Sequence, residues 1–366
     1  MKSTLTLHRA ALESSTIFNR AVAECAVSSG LMNALGSPRT VAELITLMGF
    51  APERRSLLEE LLSVLCQEGL VKRHQLPAGG PTVYRAQRPS TVGDTLGRYR
   101  PREDAISSWY GERHANKIRS SNRAFLGRDL SFFRSAGGAI HFDGRFEEEW
   151  RINLQNPLYE FGRERCVRWL VENGGHSFLD LACGLGYGSE RLAQFSEGPV
   201  KIVAVDKSRD FLDLARLVVY PDAAVRFVQR DLNEGLPPLP AEPFDGVLFN
   251  GSFHFIRDKA AMLRSVAAHL QPGGRLAIGH CFSSSGFEDE AMHRFYFSLL
   301  AEAFYLVPWD EIKRLTRDAG FVLIDEFHRG SHSYLVAQKS GLPASEGSSL
   351  QPGAWEQKPS GSILEA

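Results

Sequence analysis

The chain has 366 residues, and its 42 Lys and Arg residues nearly balance 43 Asp and Glu residues, giving a formal net charge of −1. This balance argues against a nucleic-acid-binding protein, which normally carries a basic excess, and the 5 Cys residues, which form no Cys-x-x-Cys pair, argue against a disulfide framework. No apolar run approaches the about 20 residues of a membrane helix, and the polar N-terminus does not resemble a signal peptide, so we expect a cytoplasmic protein.

Residues 1–95 are predicted to form a helical domain that ends in a small hairpin. Apolar residues recur at helical spacing from 17 to 35, and Thr40 with Glu43 forms the pattern of a capping box before a second helix. A third helix is expected over 52–69, followed by two extended segments joined by a Gly-rich turn. This order is typical of a winged helix. Because the third helix is acidic, we expect a protein–protein module rather than a DNA-binding one.

Residues 96–160 are interpreted as a helical connector with a solvated basic face. The same residues could also form a wall of an acceptor pocket or a docking face for an acidic partner, in which Arg113, Lys117 and Arg119 would take part. Residues 340–366 are rich in Ser, Gly and Pro, and we expect them to form a disordered tail.

Between 161 and 339, short apolar segments alternate with helical ones, which is the pattern of an α/β domain with a parallel sheet. The apolar segments are rich in Val, Ile, Leu and Phe, which is typical of strands covered on both faces. Their sequences are SFLDLAC, KIVAVD, VRFVQRD, FDGVLFN, RLAIGHCF, FVLIDEF and SYLVAQK. Helices are expected between the first five of these strands.

The first strand of this domain leads into a glycine-rich loop with Gly184, Gly186 and Gly188, and a helix follows. Glycines let a backbone approach a ligand closely, and a helix N-terminus offers free N–H groups. The fingerprint of dinucleotide-binding enzymes fails here, because the position that requires glycine holds Ser189. Asp180 lies four positions before the first glycine. Its carboxylate would repel a pyrophosphate but would suit a positively charged amine or sulfonium.

The segment Asp-Leu-Ala-Cys-Gly-x-Gly-x-Gly resembles the first motif of the class I S-adenosylmethionine-dependent methyltransferases. This resemblance implies a Rossmann-like seven-stranded sheet and S-adenosyl-L-methionine as the cofactor, bound by Asp180 and the three glycines. It further implies that Asp206 binds the ribose hydroxyls. Asp231 would contact the adenine amino group, with the backbone N–H of Leu232 beside it. The segment that ends at Asn250 resembles the fourth-strand motif, so we include Asn250 among the cofactor-binding residues.

Most of residues 12–338 are similar to small-molecule O-methyltransferases of secondary metabolism, in which a winged helix precedes the catalytic domain, and the similarity is looser over the first 95 residues. This similarity implies a homodimer formed through residues 1–95, a catalytic domain over 161–339 and a small aromatic or polyketide-like acceptor. In that family a His-Asp pair follows the fourth strand, and the His is the general base. Here His254 occupies that place, but Phe255 and Ile256 follow it.

Several alternatives to O-methylation of a free small molecule stay open at this point. The methylated atom could be nitrogen or carbon, and the acceptor could be presented on a carrier protein or peptide. A more remote alternative is a winged-helix regulator that senses the cofactor without catalysis. His280 and Cys281 end the fifth strand and are interpreted mainly as packed residues. No His, Cys, Asp or Glu group has metal-ligand spacing, so no metal is expected.

Overall fold

The computed structural model describes residues 17–87, 97, 99, 116, 130–134, 150–151, 154–155, 157–172, 174–219, 224–283, 290–300, 306–329 and 332–341. Most of the predicted connector lies outside the described residues, and so do Arg113, Lys117 and Arg119 of the predicted docking face. The predicted tail from 342 onward also lies outside them. In the part of the chain that is described, no helix has the length and apolar character needed to span a bilayer.

The N-terminal unit consists of helices followed by an antiparallel hairpin. Helix α1 covers 17–28 of the described residues, and a 3₁₀ turn at Pro52–Arg54 precedes helix α4. The other elements are α2 at Leu31–Ala34, α3 at Val41–Met48, α4 at Arg55–Gln67, β1 at Val71–Gln75 and β2 at Thr82–Ala86.

Two local sequence patterns in this unit had different outcomes. The capping box is confirmed: the Thr40 hydroxyl accepts from the Glu43 N–H at 3.2 Å, and the Thr40 N–H donates to the Glu43 carboxylate at 2.7 Å. The single helix expected over 17–35 is wrong, because the structure divides it at Gly30. This glycine has a left-handed backbone with φ of +84°, which ends α1 and starts α2 at a new angle.

The C-terminal half contains a seven-stranded sheet with the order β5-β4-β3-β6-β7-β9-β8. Strands β3 to β7 pair in parallel, as the sequence predicts, and β9 pairs antiparallel with both β7 and β8. The strands are β3 at Ser177–Leu181, β4 at Lys201–Asp206, β5 at Ala224–Gln229, β6 at Phe244–Asn250, β7 at Leu270–His280, β8 at Phe321–Arg329 and β9 at His332–Lys339.

Helices connect and cover these strands, and all the parallel strands end at one edge of the sheet. That edge is where ligands bind in open α/β sheets. The helices are α5 at Pro157–Val171, α6 at Tyr187–Phe195, α7 at Arg209–Val218, α8 at Lys259–His269, α9 at Glu290–Leu299 and α10 at Trp309–Asp318.

The N-terminal unit packs against helix α9 of the C-terminal half. Phe18 lies 6.1 Å from Phe295 between ring centroids, and the Arg294 guanidinium lies 3.1 Å from the Glu60 carboxylate. The leucines of α4 belong to the same buried cluster as Phe295 and Met292 of α9. The apolar face of the acidic third helix is therefore covered within the same chain. Its leucines are available neither to DNA nor to a second copy of the chain.

Phe295 is fully buried at this junction, so Phe295→Ala is expected to lower the free energy of unfolding by about 3–5 kcal/mol through lost packing and a residual cavity. Urea denaturation of the full chain measures this change. The control is Leu217→Ala, because Leu217 is 82% exposed and its removal should leave stability nearly unchanged. A loss below about 1 kcal/mol for Phe295→Ala would contradict the packing of α9 against the N-terminal unit.

Candidate active site

The loop between β3 and α6 has a backbone that depends on glycine. Gly184 and Gly186 have φ of +54° and +79°, and a Cβ on Gly186 would lie 2.9 Å from the Cβ of Ala215 on α7. A Cβ on Gly184 would meet nothing within 4 Å, so the loop borders open space there. Ala182 also has a positive φ, +52°, which costs an L-residue conformational energy and was not expected from the sequence.

Gly188 and Ser189 bring the first turn of α6 against Asp180. A Cβ on Gly188 would lie 2.8 Å from the Asp180 Oδ2 atom, so only glycine permits this approach. The Ser189 hydroxyl donates to the same oxygen at 2.7 Å. In the sequence, Ser189 only marked the failure of a dinucleotide fingerprint. In the structure it is the hydrogen-bond partner of the buried carboxylate.

Asp180 is 2% exposed, and burial raises the pKa of its carboxyl to about 6, although the Ser189 hydrogen bond and the positive charge of Arg163 oppose this rise. Arg163 on α5 is itself buried and donates to the Leu154 carbonyl at 2.6 Å. Its guanidinium lies 5.1 Å from the centroid of the Tyr187 ring. No motif in the sequence pointed to this cation, because α5 lies within the predicted connector and at the start of the catalytic domain.

Asp206 ends β4 and fastens the glycine loop to it. The Gly184 N–H donates to Asp206 Oδ2 at 2.9 Å, and the Ser208 N–H donates to Oδ1 at 2.8 Å. Burial raises the pKa of this carboxyl, while these two backbone hydrogen bonds oppose the rise. The Lys207 backbone is a further hydrogen-bond partner of this carboxylate. Because an ionised carboxylate has about four lone-pair sites, it can still accept from a ligand hydroxyl.

The remaining predicted cofactor residues lie at the same edge of the sheet. Asp231 follows β5, and its carboxylate accepts from the Asn233 N–H at 2.8 Å at the start of the short 3₁₀ turn Leu232–Glu234. Leu232 is buried. Asn250 ends β6 beside Gly279 of β7. The parallel sheet therefore brings together all of the residues that the sequence assigned to the cofactor.

His254 is fully buried, and both of its ring nitrogens have partners. Nε2 lies 2.8 Å from His280 Nδ1, and Nδ1 accepts from the Val307 N–H at 3.4 Å. The other nitrogen of His280 lies 2.7 Å from the hydroxyl of Tyr159 on α5. His254 is thus the inner end of a chain of hydrogen bonds whose outer end is Tyr159, which is only half-buried.

Burial keeps the side chains of Tyr159, His280 and His254 neutral. It lowers the pKa of His254 well below its ordinary value and that of His280 to about 3, and nearby positive charges add to both effects. Burial also raises the pKa of the Tyr159 hydroxyl well above its ordinary value. At neutral pH the chain therefore consists of two neutral imidazoles and a protonated phenol.

The outer end of this chain lies next to the carboxyl end of β6. A Cβ on Gly251, the residue after Asn250, would lie 3.4 Å from both Tyr159 Cε1 and His280 Cδ2. The Tyr159 ring also packs edge-on against His332, with centroids 4.4 Å apart. Sequence reasoning missed Tyr159 because it carries no motif and meets His280 across 121 positions of the chain.

Comparisons with known proteins agree with this geometry. Residues 178–274 match the family model described as a methyltransferase domain. The methyltransferase GfsG of Streptomyces halstedii is 31% identical over 176 residues, 46% of this chain and 62% of the relative. The O-methyltransferase cnsE of Penicillium expansum is 30% identical over 193 residues, 52% of this chain and 67% of the relative. The chain thus spans about two thirds of these relatives.

Two solved structures show the same fold over nearly the whole chain. The CurJ carbon methyltransferase superposes with a TM-score of 0.61 at 13% identity, covering 90% of this chain and 92% of its own. The DszA carbon methyltransferase superposes with a TM-score of 0.58 at 15% identity, covering 93% of both chains.

Within the described residues, no group of three or more His, Cys, Asp or Glu could hold a metal ion. With its sheet order, its glycine loop and its relatives, the chain belongs to the class I S-adenosylmethionine-dependent methyltransferases.

Proposed function

We propose that this chain methylates an oxygen of a small secondary-metabolite acceptor, with carbon as the second candidate atom and nitrogen behind it. The observation that carries the proposal is the position of the Tyr159–His280–His254 chain beside Gly251, at the same sheet edge as the glycine loop. A relative named as an O-methyltransferase supports oxygen. The carbon alternative is supported by the neutral, apolar surroundings of these three hydrogen-bonded side chains.

The residues of the loop fit S-adenosylmethionine, which supplies a methyl group on a positively charged sulfur. Asp180 would face the amine of the cofactor from its buried position, and open space over Gly184 leaves room for the amino-acid part. Asp206 would accept hydrogen bonds from the ribose hydroxyls. Asp231 and Leu232 would border the adenine, and Asn250 would lie nearest the transferred group.

A general base is required if the acceptor arrives as a neutral hydroxyl. His254 is the predicted base, but its Nε2 is bonded to His280 and its Nδ1 faces Val307. As a base it would therefore have to withdraw the proton through His280 and Tyr159. Such a path is indirect, whereas an ordinary general base lies within hydrogen-bond reach of the proton that it removes.

The proposed organisation follows the sequence boundaries. Residues 1–95 would be a winged-helix-like dimerisation domain, 96–160 a connector, 161–339 the catalytic domain and 340–366 a tail. The helix and hairpin order of the N-terminal unit supports the first of these. Since α9 covers the leucines of α4, a homodimer would use other faces of the unit. The alternative to a free acceptor is an acceptor bound to a carrier protein or peptide. The remote alternative to catalysis is a regulator that senses the cofactor.

Incubation of the full chain with S-adenosylmethionine carrying a ¹³C-labelled methyl group and a small-molecule extract of the host tests the function directly. We expect one labelled product whose methyl carbon has the chemical shift of an O-methyl group. A C-methyl or N-methyl shift would replace oxygen by the corresponding alternative. Label only on a carrier protein would favour the carrier-bound acceptor, and cofactor binding without any transfer would favour the regulator.

Asp206→Asn is expected to weaken binding of S-adenosylhomocysteine by about 10- to 100-fold, because a charged acceptor of the ribose hydroxyls is lost. Isothermal titration calorimetry of the full chain measures the affinity. Asp213→Asn is the matched control, since Asp213 is an exposed aspartate on the helix that follows the same strand. Equal affinity in the Asp206 variant and the control would contradict the assignment of Asp206.

Asp180→Asn is expected to separate stability from cofactor binding. Because the pKa of Asp180 is raised to about 6, the folded chain holds a proton that the unfolded chain releases near pH 4, so stability falls as pH rises from about 4 to about 6. The variant lacks this titration. Relative to the wild type it should gain about 2–3 kcal/mol between pH 4.5 and 7.5, while S-adenosylhomocysteine affinity falls.

Urea denaturation of the apo chain at both pH values measures this difference, and Asp213→Asn again serves as the control. If the wild type and Asp180→Asn lost stability equally between pH 4.5 and 7.5, the buried carboxyl would not be the titrating group. A gain in stability without loss of affinity would remove Asp180 from the cofactor site.

A further inference from the structure

The Tyr159–His280–His254 chain has a direction, and the backbone of Val307 sets it. An amide N–H is always a donor, so His254 Nδ1, which accepts from Val307, carries no proton. The single proton of the neutral His254 ring must then be on Nε2. It points at His280 Nδ1, 2.8 Å away, which is therefore the unprotonated nitrogen of His280.

The same reasoning extends to the outer end. Since Nδ1 of His280 is unprotonated, its proton is on Nε2 and points at the Tyr159 oxygen, 2.7 Å away. Tyr159 accepts this hydrogen bond, and its own O–H is left to point elsewhere. Reversing the chain would put a proton on His254 Nδ1, facing the Val307 N–H, and two buried donors would then oppose each other.

The surroundings preserve this direction because they keep the chain neutral. The groups that face His254 are His280, Lys259 and His293, which lower its pKa, and the Cys281 backbone, which raises it. The ammonium of Lys259 donates to the Ile256 carbonyl at 2.7 Å. His280 faces His293 and the Cys281 backbone. The Tyr159 hydroxyl contacts His280, and the charged forms of Cys281, Tyr296 and Tyr334 would raise its pKa while Arg163 lowers it.

We propose that the Tyr159 hydroxyl donates a hydrogen bond to an oxyanion of the acceptor, and that His280 and His254 orient the hydroxyl for this contact. This inference rests on the methyl transfer of the proposed function. It replaces the path in which His254 would take up the acceptor proton through His280 and Tyr159. It selects acceptors with an acidic hydroxyl, namely phenols and the enols of 1,3-dicarbonyl compounds. Tyr159 is the residue that touches the acceptor, and the two histidines are positioning residues.

The proton balance follows from this arrangement. The acceptor releases its own proton to solvent when it binds as an oxyanion, and Tyr159 keeps its proton throughout. The electron pair of the acceptor forms the new bond to the methyl carbon while the carbon–sulfur bond breaks. A phenolate reacts at oxygen and an enolate at oxygen or at its α-carbon. The same hydrogen bond therefore serves both candidate atoms of the proposed function.

The direction of the chain can be measured on the apo protein. The ¹⁵N chemical shifts of histidine ring nitrogens distinguish protonated from unprotonated atoms, and the variants His254→Gln and His280→Gln assign the two rings. We expect Nε2 to be protonated and Nδ1 unprotonated in both rings from pH 6 to 8. Tyr159→Phe should shift the His280 Nε2 signal and leave the protonation of His254 unchanged. A proton on Nδ1 of either ring would overturn the proposal.

Absorbance of 4-nitrophenol tests the acceptor side, because its phenolate and neutral forms absorb at different wavelengths. In the presence of S-adenosylhomocysteine, the full chain should bind the phenolate at least about tenfold more tightly than the neutral form. Tyr159→Phe should remove this preference. The control Tyr84→Phe, which changes a buried tyrosine of the N-terminal hairpin, should keep it. Preference for the neutral phenol by the wild type would overturn the proposal.

Failure of this inference can be distinguished from failure of the proposed function. If Asp206→Asn weakens S-adenosylhomocysteine binding and labelled product forms, the methyltransferase assignment stands. A proton on Nδ1 of the histidines would then restore His254 as an indirect base. If no methyl transfer occurs but 4-nitrophenol binds as the phenolate, the oxyanion site stands without the proposed reaction.

Discussion

The hydrogen bond from the Gly184 N–H to the Asp206 carboxylate is the contact on which the cofactor side of the site depends. It joins the loop after β3 to the end of β4, so that two neighbouring parallel strands present their loops as one surface. The loop can make this bond only with left-handed residues at Ala182, Gly184 and Gly186. Its compact path then presses Gly188 against Asp180 and buries that carboxyl. The compact path of this loop thus accounts for its positive φ angles, for its glycines and for the burial that raises the pKa of Asp180.

Burial surrounds different groups on the two sides of the sheet edge: two carboxyl groups on the cofactor side, and two imidazoles with a phenol on the acceptor side. On the cofactor side two carboxylates are buried, Asp180 near Arg163 and Asp206 on backbone donors, and burial raises the pKa of both. On the acceptor side it removes charge altogether, since two imidazoles and a phenol remain neutral. A cationic imidazole beside a sulfonium would repel it, whereas a neutral hydrogen-bond donor does not. The separation fits a reaction in which positive charge on the donor is lost.

The sequence predicted what depends on short stretches of chain. The seven strands, the loop glycines and the Thr40–Glu43 capping box are each encoded within a few consecutive residues, and their patterns are strong. It also assigned Asp180, Asp206, Asp231 and Asn250 to the cofactor, and the parallel strands, which end together, bring them to one edge of the sheet. The break at Gly30 was missed, since helical periodicity continues across it and only backbone geometry reveals the change.

The contacts that escaped prediction join distant positions through side chains. Tyr159 meets His280 across 121 residues, and His254 meets Val307 across 53. Arg163 reaches the surroundings of Asp180 from a helix that precedes every motif. No local pattern marks such pairs, since each residue is an unremarkable member of its own element. His254 was identified by its place after β6, but its partners, which decide whether it can contact an acceptor, were not.

Helix α9 links the stability of the N-terminal unit to the chemistry of the site. One of its faces packs Phe295 against Phe18 and pairs Arg294 with Glu60. From the same helix, Phe297 covers the rings of His254 and His280, with centroids 4.7 and 5.2 Å away. The apolar cover that keeps these imidazoles neutral is therefore held in place by the N-terminal helices. A change at that junction would admit water to the hydrogen bonds between Tyr159, His280 and His254 and weaken the direction that Val307 gives them, so the N-terminal unit supports the proposed acceptor site through α9.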